Sequence, residues 1–249
     1  MESKYLISAP WKPVPNTSDK NTPGLNVMEF FMDTIQGEGL FVGQPSAFLR
    51  LQGCTLDCVW CDTEWRKGRF LTFNELFVLM EQYALVERLR LGHHWVITGG
   101  SPLKQQMQLT AFLYQFIHRY GFEPVIEIEN ECVLYPLPEL AKLVFVWNNS
   151  PKLESSGMKL QARYKSDVIS YMGRLHNSAF KFVVSKQDDW NEIDHSFLRP
   201  GLIKRSQIIL MPLGATLKEL EINRIFAAEC AIANSVRYTT REQVILNKP

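Results

Sequence analysis

The sequence lacks long apolar runs, an apolar amino-terminal segment and an excess of charge of one sign. No stretch of its 249 residues approaches the roughly 18 apolar residues of a transmembrane helix. Residues 1–26 include Lys4, Lys12, Asp19 and Lys20 and no apolar core, so we expect no secretory signal. The chain has 27 Lys and Arg residues against 26 Asp and Glu residues, which argues against a large nucleic-acid footprint. We therefore predict a cytoplasmic globular protein with no membrane contact and no direct nucleic-acid contact.

A disulfide framework is not expected in a reducing compartment, so the five cysteines need another explanation. Three of them, Cys54, Cys58 and Cys61, have the spacing C-x3-C-x2-C in GCTLDCVWC. A short loop of this kind can turn all its sulfurs toward one metal centre. Three thiolates suit a [4Fe–4S] cluster in which one iron lacks a protein ligand. Zinc is the alternative, with His93 or His94 as a fourth ligand.

The chain alternates predicted strands and helices after a proline-rich beginning. Residues 1–24 are predicted to be an extended or disordered lead-in, and residues 25–249 a single domain. The predicted strands are 25–33, 46–52, 95–98, 125–129, 143–147, 180–184, 207–211 and 236–238, and the predicted helices are 72–91, 109–120, 163–175 and 217–234. Strands separated by helices predict an α/β fold with a mostly parallel sheet. The ligand site of such a sheet is expected at the carboxyl ends of its strands.

Five short motifs follow one another in an order that is typical of one enzyme family. They are TIQGEG at 34–39, FLRLQGC at 48–54, CDT at 61–63, TGGSP at 98–102 and SPK at 150–152. Together they resemble the 7-carboxy-7-deazaguanine synthases, radical S-adenosylmethionine (SAM) enzymes of the queuosine and 7-deazapurine pathway. The resemblance runs from about residue 27 onward. It implies an incomplete (β/α)6 TIM-like radical SAM barrel with mostly parallel strands.

The resemblance implies three cofactors: a [4Fe–4S] cluster, SAM and Mg²⁺. Cys54, Cys58 and Cys61 would be the catalytic cluster ligands, with SAM on the fourth iron. The residues implied to contact SAM are Trp60, Cys61, Asp62, Gly100, Ser101, Ser150, Pro151, Lys152, Met211, Pro212, Leu213 and Gly214. Ser101 departs from the family pattern, because many relatives have Glu after the two glycines. Its lack of charge implies that the SAM amino group relies more on backbone carbonyls.

The substrate implied by the resemblance is a pterin. Its contacts would be Ile35, Gln36, Gly37, Glu38, Arg50 and Thr98. A bidentate arginine suits the substrate carboxylate, and Arg50 lies in an otherwise apolar strand. The alternative is that Arg50 forms a salt bridge with a neighbouring acid. Gln243 replaces a family histidine, which puts a contribution of the carboxyl-terminal residues to the substrate pocket in question.

A hydroxyl oxygen is a hard ligand suited to Mg²⁺, and the resemblance places the family's metal-binding threonine at Thr63. The alternative is that Thr63 caps a turn. Glu127 and Glu129 lie where the family has an ETNG-like strand end, and the sequence leaves their register open. Cys132 and Cys230 are expected to be small buried side chains.

The implied reaction converts 6-carboxy-5,6,7,8-tetrahydropterin into 7-carboxy-7-deazaguanine with loss of ammonia, which makes the protein a carbon–nitrogen lyase. SAM would supply a 5′-deoxyadenosyl radical and be regenerated. The implied partners are a flavodoxin-like or ferredoxin-like electron donor and a second copy of the chain in a homodimer. Two alternatives remain: another radical SAM enzyme, such as a glycyl-radical activase, or a catalytically idle regulatory relative.

Overall fold

The computed structural model of the protein describes residues 22–248 and, as backbone only, residues 4–7. One sheet contains all the strands of this described part. In chain order they are β1 Lys4–Ile7, β2 Gly24–Ile35, β3 Pro45–Leu51, β4 Arg69–Thr72, β5 His94–Gly99, β6 Ile126–Asn130, β7 Val146–Asn149, β8 Ser178–Val184, β9 Ile208–Pro212 and β10 Arg237–Tyr238. The helices are α1 Phe73–Gln82, α2 Leu85–Arg90, α3 Gln106–Tyr120, α4 Pro138–Leu143, α5 Leu160–Arg163, α6 Ser166–Arg174, α7 Gln187–Ile193, α8 Leu217–Ala233 and α9 Glu242–Ile245.

The sheet is mostly parallel and open. Its strand order is β1-β2-β3-β5-β6-β7-β8-β9-β10, and β4 pairs with β2 beside this path. From β3 through β10 every neighbouring pair in that order is parallel, whereas β1, β3 and β4 each pair antiparallel to β2. No pairing within the described residues joins β1 to β10. The predicted α/β fold with a mostly parallel sheet is confirmed, and the sheet does not close on itself.

The two faces of the sheet carry different side chains. On one face Leu49, Ile97, Ile128 and Phe182 are fully buried and join a core to which the helices contribute. Phe112 of α3 is fully buried in the same core. Because successive side chains of a strand point to opposite faces, the residues between these apolar positions face the other way. That second face lines the functional cavity described below.

Three predicted elements differ from the structure. The predicted helix 163–175 is divided, because Tyr164 is extended between α5 and α6. The capping box of Thr72 and Glu75 is present and starts α1, but the predicted helix 72–91 is interrupted. Ala84 has a left-handed φ of 54°, so α1 ends before it and α2 starts after it. The predicted strand 143–147 is also wrong at its start, because Pro138 begins a helix that continues to Leu143.

The lead-in is only partly covered by the structure. Residues 4–7 form β1, an edge strand on β2, which agrees with an extended segment there. The prediction for residues 1–3 and 8–21 lies outside the described residues. Among the described residues no helix has both the length and the apolar character that crossing a bilayer requires.

Candidate functional site

A cavity of about 920 Å³ lies at the carboxyl ends of the parallel strands. Its wall includes the residues that follow five of these strands: Cys54 after β3, Gly100 after β5, Glu131 after β6, Ser150 after β7 and Leu213 after β9. Side chains from distant parts of the chain therefore converge on one space. A cavity thus lies at these turns, where the sequence predicts the ligand site.

The QGEG turn reaches the same cavity from the other edge of the sheet. β2 is antiparallel to β3, and Ile35 at its end pairs with Pro45 at the start of β3. Residues 36–39 consequently leave the sheet where the parallel strands begin. The QGEG turn therefore does not lie at the carboxyl ends of the parallel strands, where the ligand site is expected, because it follows an antiparallel strand. Ile35, Gln36, Gly37 and Glu38 nevertheless line the cavity.

Alternate residues of four strands complete the wall. Arg50 of β3, Thr98 of β5, Glu129 of β6 and Lys181 of β8 all face the cavity. Thr98 donates a hydrogen bond to Glu129 Oε2 at 2.9 Å, and Lys181 Nζ lies 3.7 Å from Glu129 Oε1. Of the two acids at this strand end, Glu129 therefore faces the cavity, whereas Glu127 does not line it.

Nearly all predicted site residues lie on this one wall. They are Ile35, Gln36, Gly37, Glu38, Arg50, Cys54, Cys58, Trp60, Cys61, Asp62, Thr63, Thr98, Gly100, Ser150, Lys152, Met211, Pro212, Leu213 and Gly214. Ser101 and Pro151 are the exceptions, since both are buried behind the wall. The hydroxyl of Ser101 is fully buried and donates to Glu131 Oε1 at 2.5 Å. The side chain of Ser101 therefore has a protein partner.

The cysteine loop is held by the segment that follows SPK. Trp60 Nε1 donates to the carbonyl of Ser155 at 3.0 Å, and the amide of Val59 donates to the carbonyl of Ser156 at 3.0 Å. Lys152 Nζ lies 5.6 Å from the centre of the Trp60 indole ring. These contacts fix the middle of the loop while its three thiols remain on the cavity wall.

The three thiols share a wall but have not converged on one point. Within the described residues no three His, Cys, Asp or Glu side chains are arranged to hold a metal ion. Burial raises the pKa of the Cys54 and Cys58 thiols. A thiol must lose its proton to bind a metal ion. A bound metal would therefore act against burial and lower the pKa of these thiols.

Gly100 packs against the cysteine loop. A Cβ at this position would lie 2.5 Å from the Cβ of Cys54, which no side chain tolerates. The amide of Ser101 also donates to the carbonyl of Gly53 at 2.8 Å. The second glycine of TGGSP therefore lets the turn and the cysteine loop approach each other. This contact joins two motifs that lie about fifty residues apart in the sequence.

Glu38 is surrounded by cationic and amide donors from elsewhere in the chain. Arg241 Nε lies 2.8 Å from Glu38 Oε1, Gln243 Nε2 donates to the same oxygen at 2.7 Å, and Lys181 pairs with Oε2. Burial acts to raise the pKa of Glu38, but the charges of Lys181 and Arg241 outweigh it and hold that pKa well below its usual range. Glu38 is therefore a carboxylate in the folded protein.

The carboxyl-terminal residues close one side of the cavity. Arg241 and Gln243 both line it, and the amide of Glu242 donates to the carbonyl of Gly37 at 3.0 Å. A Cβ on Gly37 would lie 1.8 Å from Gln243 Oε1, so the turn and this segment fit closely. The segment contributes to the wall despite the replacement of the family histidine by Gln243.

One end of the cavity contains the cysteine loop and the other contains Gln36 and Glu38 of the QGEG turn. Arg50 lies on the wall between these two ends. Its Nε forms an ion pair with Glu29 at 2.7 Å, so the alternative of a neighbouring acid is present in the structure. Its Nη1 lies 3.4 Å from Thr63 Oγ1. Arg50 nevertheless lines the cavity. Its ion pair with Glu29 uses Nε, so other N–H donors of the guanidinium remain available to a ligand. Asp62 is held separately, by Arg241 Nη2 at 2.7 Å.

A buried polar cluster supports the QGEG turn from below. Glu127 is fully buried, accepts hydrogen bonds from Gln36 at 3.2 Å and Asn148 at 2.6 Å, and pairs with His94. Buried polar groups of this kind are normally satisfied. These hydrogen bonds fix the side chain of Gln36. His94 pairs with Glu127 and therefore lies away from the cysteine loop.

Sequence reasoning assigned no role to several charged residues of the wall. They are Glu29, Glu131, Lys181 and Arg241. Lys181 carries a usable signal, since it is a lone charge within the apolar strand SAFKFVV. Glu131 carries a similar signal as the third acid of EIENE, directly after a strand. Arg241 carries none, because its partners are distant in sequence.

Comparison with known proteins identifies the family of the chain. No family model matches the chain. It is 31% identical to the 7-carboxy-7-deazaguanine synthase of Pyrobaculum aerophilum over 90% of this chain and 95% of that protein. It is also 31% identical to the synthase of that name from Hyperthermus butylicus, over 88% of each chain. The crystal structure of QueE from Escherichia coli has the same fold, with a TM-score of 0.61 and 23% identity over 87% of this chain and 93% of that one. The chain thus belongs to the 7-carboxy-7-deazaguanine synthase family.

Proposed function

We propose that the protein converts 6-carboxy-5,6,7,8-tetrahydropterin into 7-carboxy-7-deazaguanine with loss of ammonia. The reaction would use a [4Fe–4S] cluster, SAM and Mg²⁺. One observation carries the proposal: the cysteine loop and the QGEG turn line a single cavity of about 920 Å³. A space of this size is within the range of small-molecule sites and suits a cofactor and a substrate side by side.

The residues present fit the implied cofactors. Cys54, Cys58 and Cys61 would hold three irons, since their thiols lie on one short loop at one wall. Glu131 adds a buried carboxylate oxygen without a protein partner at the same end of the cavity. When bound, the cluster and SAM would supply the radical chemistry that the polypeptide cannot perform. The turns after β7 and β9 would enclose SAM with Ser150, Lys152 and the residues 211–214.

The other end of the cavity suits the pterin. Gln36 and Glu38 would meet the polar edge of the ring, and the network around Glu38 keeps that carboxylate charged. Arg50 would bind the substrate carboxylate with the donors that Glu29 leaves available. Thr63, 3.4 Å from Arg50, would offer its hydroxyl oxygen to Mg²⁺ on the substrate. Thr98 would contact the substrate from the floor of the cavity.

The proposal extends to architecture and partners. The open sheet would be an incomplete (β/α)6 barrel, and residues 25–249 would form one domain. A flavodoxin-like or ferredoxin-like protein would deliver the electron in the cytoplasm, and the working form would be a homodimer. The apolar side chains of Met211, Pro212 and Val183 would help to exclude water from the reacting centre.

Turnover of the pterin by anaerobically reconstituted protein tests the proposal. Formation of 7-carboxy-7-deazaguanine and ammonia in equal amounts, dependent on SAM and a reductant, is the expected result. Cleavage of SAM without consumption of the pterin would favour another radical SAM enzyme. A loaded cluster with neither reaction would favour an idle relative.

A further inference from the structure

Glu131 is a buried acid whose two oxygens have different surroundings. The residue is 5% exposed and lines the cavity. Its Oε1 accepts two hydrogen bonds, from Ser101 Oγ at 2.5 Å and from Thr55 Oγ1 at 2.8 Å. Its Oε2 is buried and has no hydrogen-bond partner among the residues that the structure describes. No Lys, Arg or His of the described residues forms an ion pair with Glu131, whose charge is therefore not compensated within this part of the chain.

Such a group is costly unless a ligand completes it. A buried polar atom without a partner lowers stability, and an acid without a counter-charge lowers it further. Natural proteins keep these groups mainly where they serve a site. Glu29, Glu38 and Glu129, the other acids nearest the strands of this cavity, all have a cationic partner. Glu131 is the exception among these four.

The position of Glu131 identifies the end of the cavity that it serves. Thr55 belongs to the cysteine loop, and Ser101 belongs to the TGGSP turn, so the acid lies where the two motifs meet. Ser101 replaces the glutamate that many relatives carry at this point of the turn. The Ser101 side chain is buried and donates a hydrogen bond to Glu131. The carboxylate that the turn lacks at Ser101 is therefore supplied by Glu131, directly after β6.

We propose that Glu131 binds the amino group of SAM through Oε2, with Ser101 and Thr55 holding its carboxylate in position. This inference rests on the proposed function, because it takes SAM as the ligand of the cysteine-loop end. It replaces the expectation that the amino group relies more on backbone carbonyls. Ser101 is then a positioning residue, which acts through Glu131.

Binding of SAM to the reconstituted, cluster-loaded protein tests the assignment without turnover. Glu131→Gln removes the charge and preserves the shape. We expect the affinity for SAM to fall roughly tenfold to a hundredfold in calorimetry, since a charge-assisted hydrogen bond is lost. The affinity for a SAM analogue that lacks the α-amino group should be the same in both proteins. Glu64→Gln, at an acid on the cavity rim that pairs with Lys67, is the matched control and should bind SAM as the native chain does.

The melting temperature without SAM distinguishes a ligand-binding role of Glu131 from a structural role, because the two roles predict changes of opposite sign. Glu131→Gln should melt at the same or a higher temperature, because an uncompensated buried charge is removed. A lower melting temperature together with unchanged affinity for SAM would overturn the proposal. If Glu131→Gln fails to retain the cluster, Ser101→Ala and Thr55→Ala decide: each should weaken SAM several-fold, and unchanged affinity in both would overturn it.

The same titrations separate this inference from the proposed function. Native protein that takes up no cluster, or binds no SAM once loaded, would contradict the proposed function and this inference with it. Native protein that binds SAM no more tightly than Glu131→Gln would contradict only the role of Glu131. A loss of affinity equal for SAM and for the analogue without the amino group would likewise show that Glu131 does not contact that group.

Discussion

Each end of the cavity contains a glutamate, and the surrounding protein balances the charge of one glutamate but not of the other. Glu38 has two cations and an amide around its carboxylate, all from segments far away in the sequence. Glu131 has two hydroxyl donors and no cation. The compensated acid joins parts of the chain, because its charge is balanced before any ligand arrives. The uncompensated acid is left for a ligand to complete. A carboxylate on the wall therefore does not by itself show whether its charge is balanced by the protein or by a ligand, so the partners of each oxygen must be counted.

Removing the cysteines should affect the cysteine-loop end of the cavity and leave the network around Glu38 intact. Anaerobically purified protein is expected to be brown, with about four irons and four sulfides per chain. Cys54→Ala, Cys58→Ala or Cys61→Ala should abolish the cluster and all turnover. Elemental analysis with a sulfide assay measures the cluster content. The free energy of unfolding in urea of the cluster-free proteins should be unchanged, because the network around Glu38 is not altered.

Cys230→Ala is the control for these variants, since Cys230 is buried beside Asn234 on α8 and away from the cavity. It should keep the full iron content. Stoichiometric zinc without labile sulfide in the native protein would contradict the iron–sulfur assignment.

Glu38→Gln breaks the compensated end. Lys181 would remain buried and Arg241 half-buried, each with one partner fewer, and losing one member of a buried ion pair costs about 3–5 kcal/mol. We expect the free energy of unfolding, measured in urea, to fall by that amount. Glu81→Gln changes an exposed pair with Arg119 in the same way and should have little effect. Equal stability of Glu38→Gln and the native chain would show that the network does not hold the fold.

Acid sharpens the same comparison. The pKa of Glu38 is lower in the folded protein than its ordinary value of 4.5, so its stabilising contribution is present above that value and is lost as the pH falls below it. The stability advantage of the native chain over Glu38→Gln should therefore shrink as urea unfolding is repeated at successively lower pH. An advantage that stays constant below 4.5 would show that the Glu38 charge is not responsible.

Arg50→Lys probes the boundary between the two ends. A lysine can keep the contact with Glu29 but cannot offer a planar two-point fork. We expect binding of the pterin to weaken roughly tenfold and binding of SAM to stay unchanged. Arg88→Lys is a matched control, because Arg88 pairs through Nε with Asp33 at 2.8 Å and does not line the cavity. Weakening of both ligands together would make Arg50 a structural residue.

Thr63→Ala should produce the smallest effect, a loss of the response of turnover to added Mg²⁺. The cluster and SAM cleavage should remain, because the hydroxyl contacts only Asp62 and Arg50 in the structure. Thr63→Ser retains the hydroxyl oxygen and should retain the response. A Thr63→Ala variant that stays fully dependent on Mg²⁺ would place the metal elsewhere.

Local sequence signals predicted much of the fold and one end of the site. Period-two and period-three-to-four apolar patterns located most strands and helices, and the capping box of Thr72 fixed the start of α1. The cysteine spacing and the strand-end turns indicated residues that line the cavity around the cysteine loop, because both are short-range patterns. The break at Ala84 was missed, since no glycine or proline marks it.

Long-range pairing was beyond the reach of these signals. Arg241 was assigned no role because nothing near it in sequence indicates Glu38 or Asp62. Ser101 is a related case: its neighbours in the sequence indicate a turn that faces the cavity, and they give no sign that its hydroxyl bonds to Glu131, an acid directly after β6. A side chain that completes a distant group has no local pattern, and only the tertiary structure identifies it.

The contact between Glu38 and Arg241 also has a consequence for the timing of assembly, since it joins residues 203 positions apart. A ribosome needs roughly 10–40 s to synthesise that length of chain at ordinary elongation rates. The parallel strands from β3 to β9 can pair during this interval, but Glu38 and Lys181 remain without their third partner until Arg241 emerges. The side of the cavity that contains Glu38 is thus completed late, long after the loop that carries the cysteines has left the ribosome.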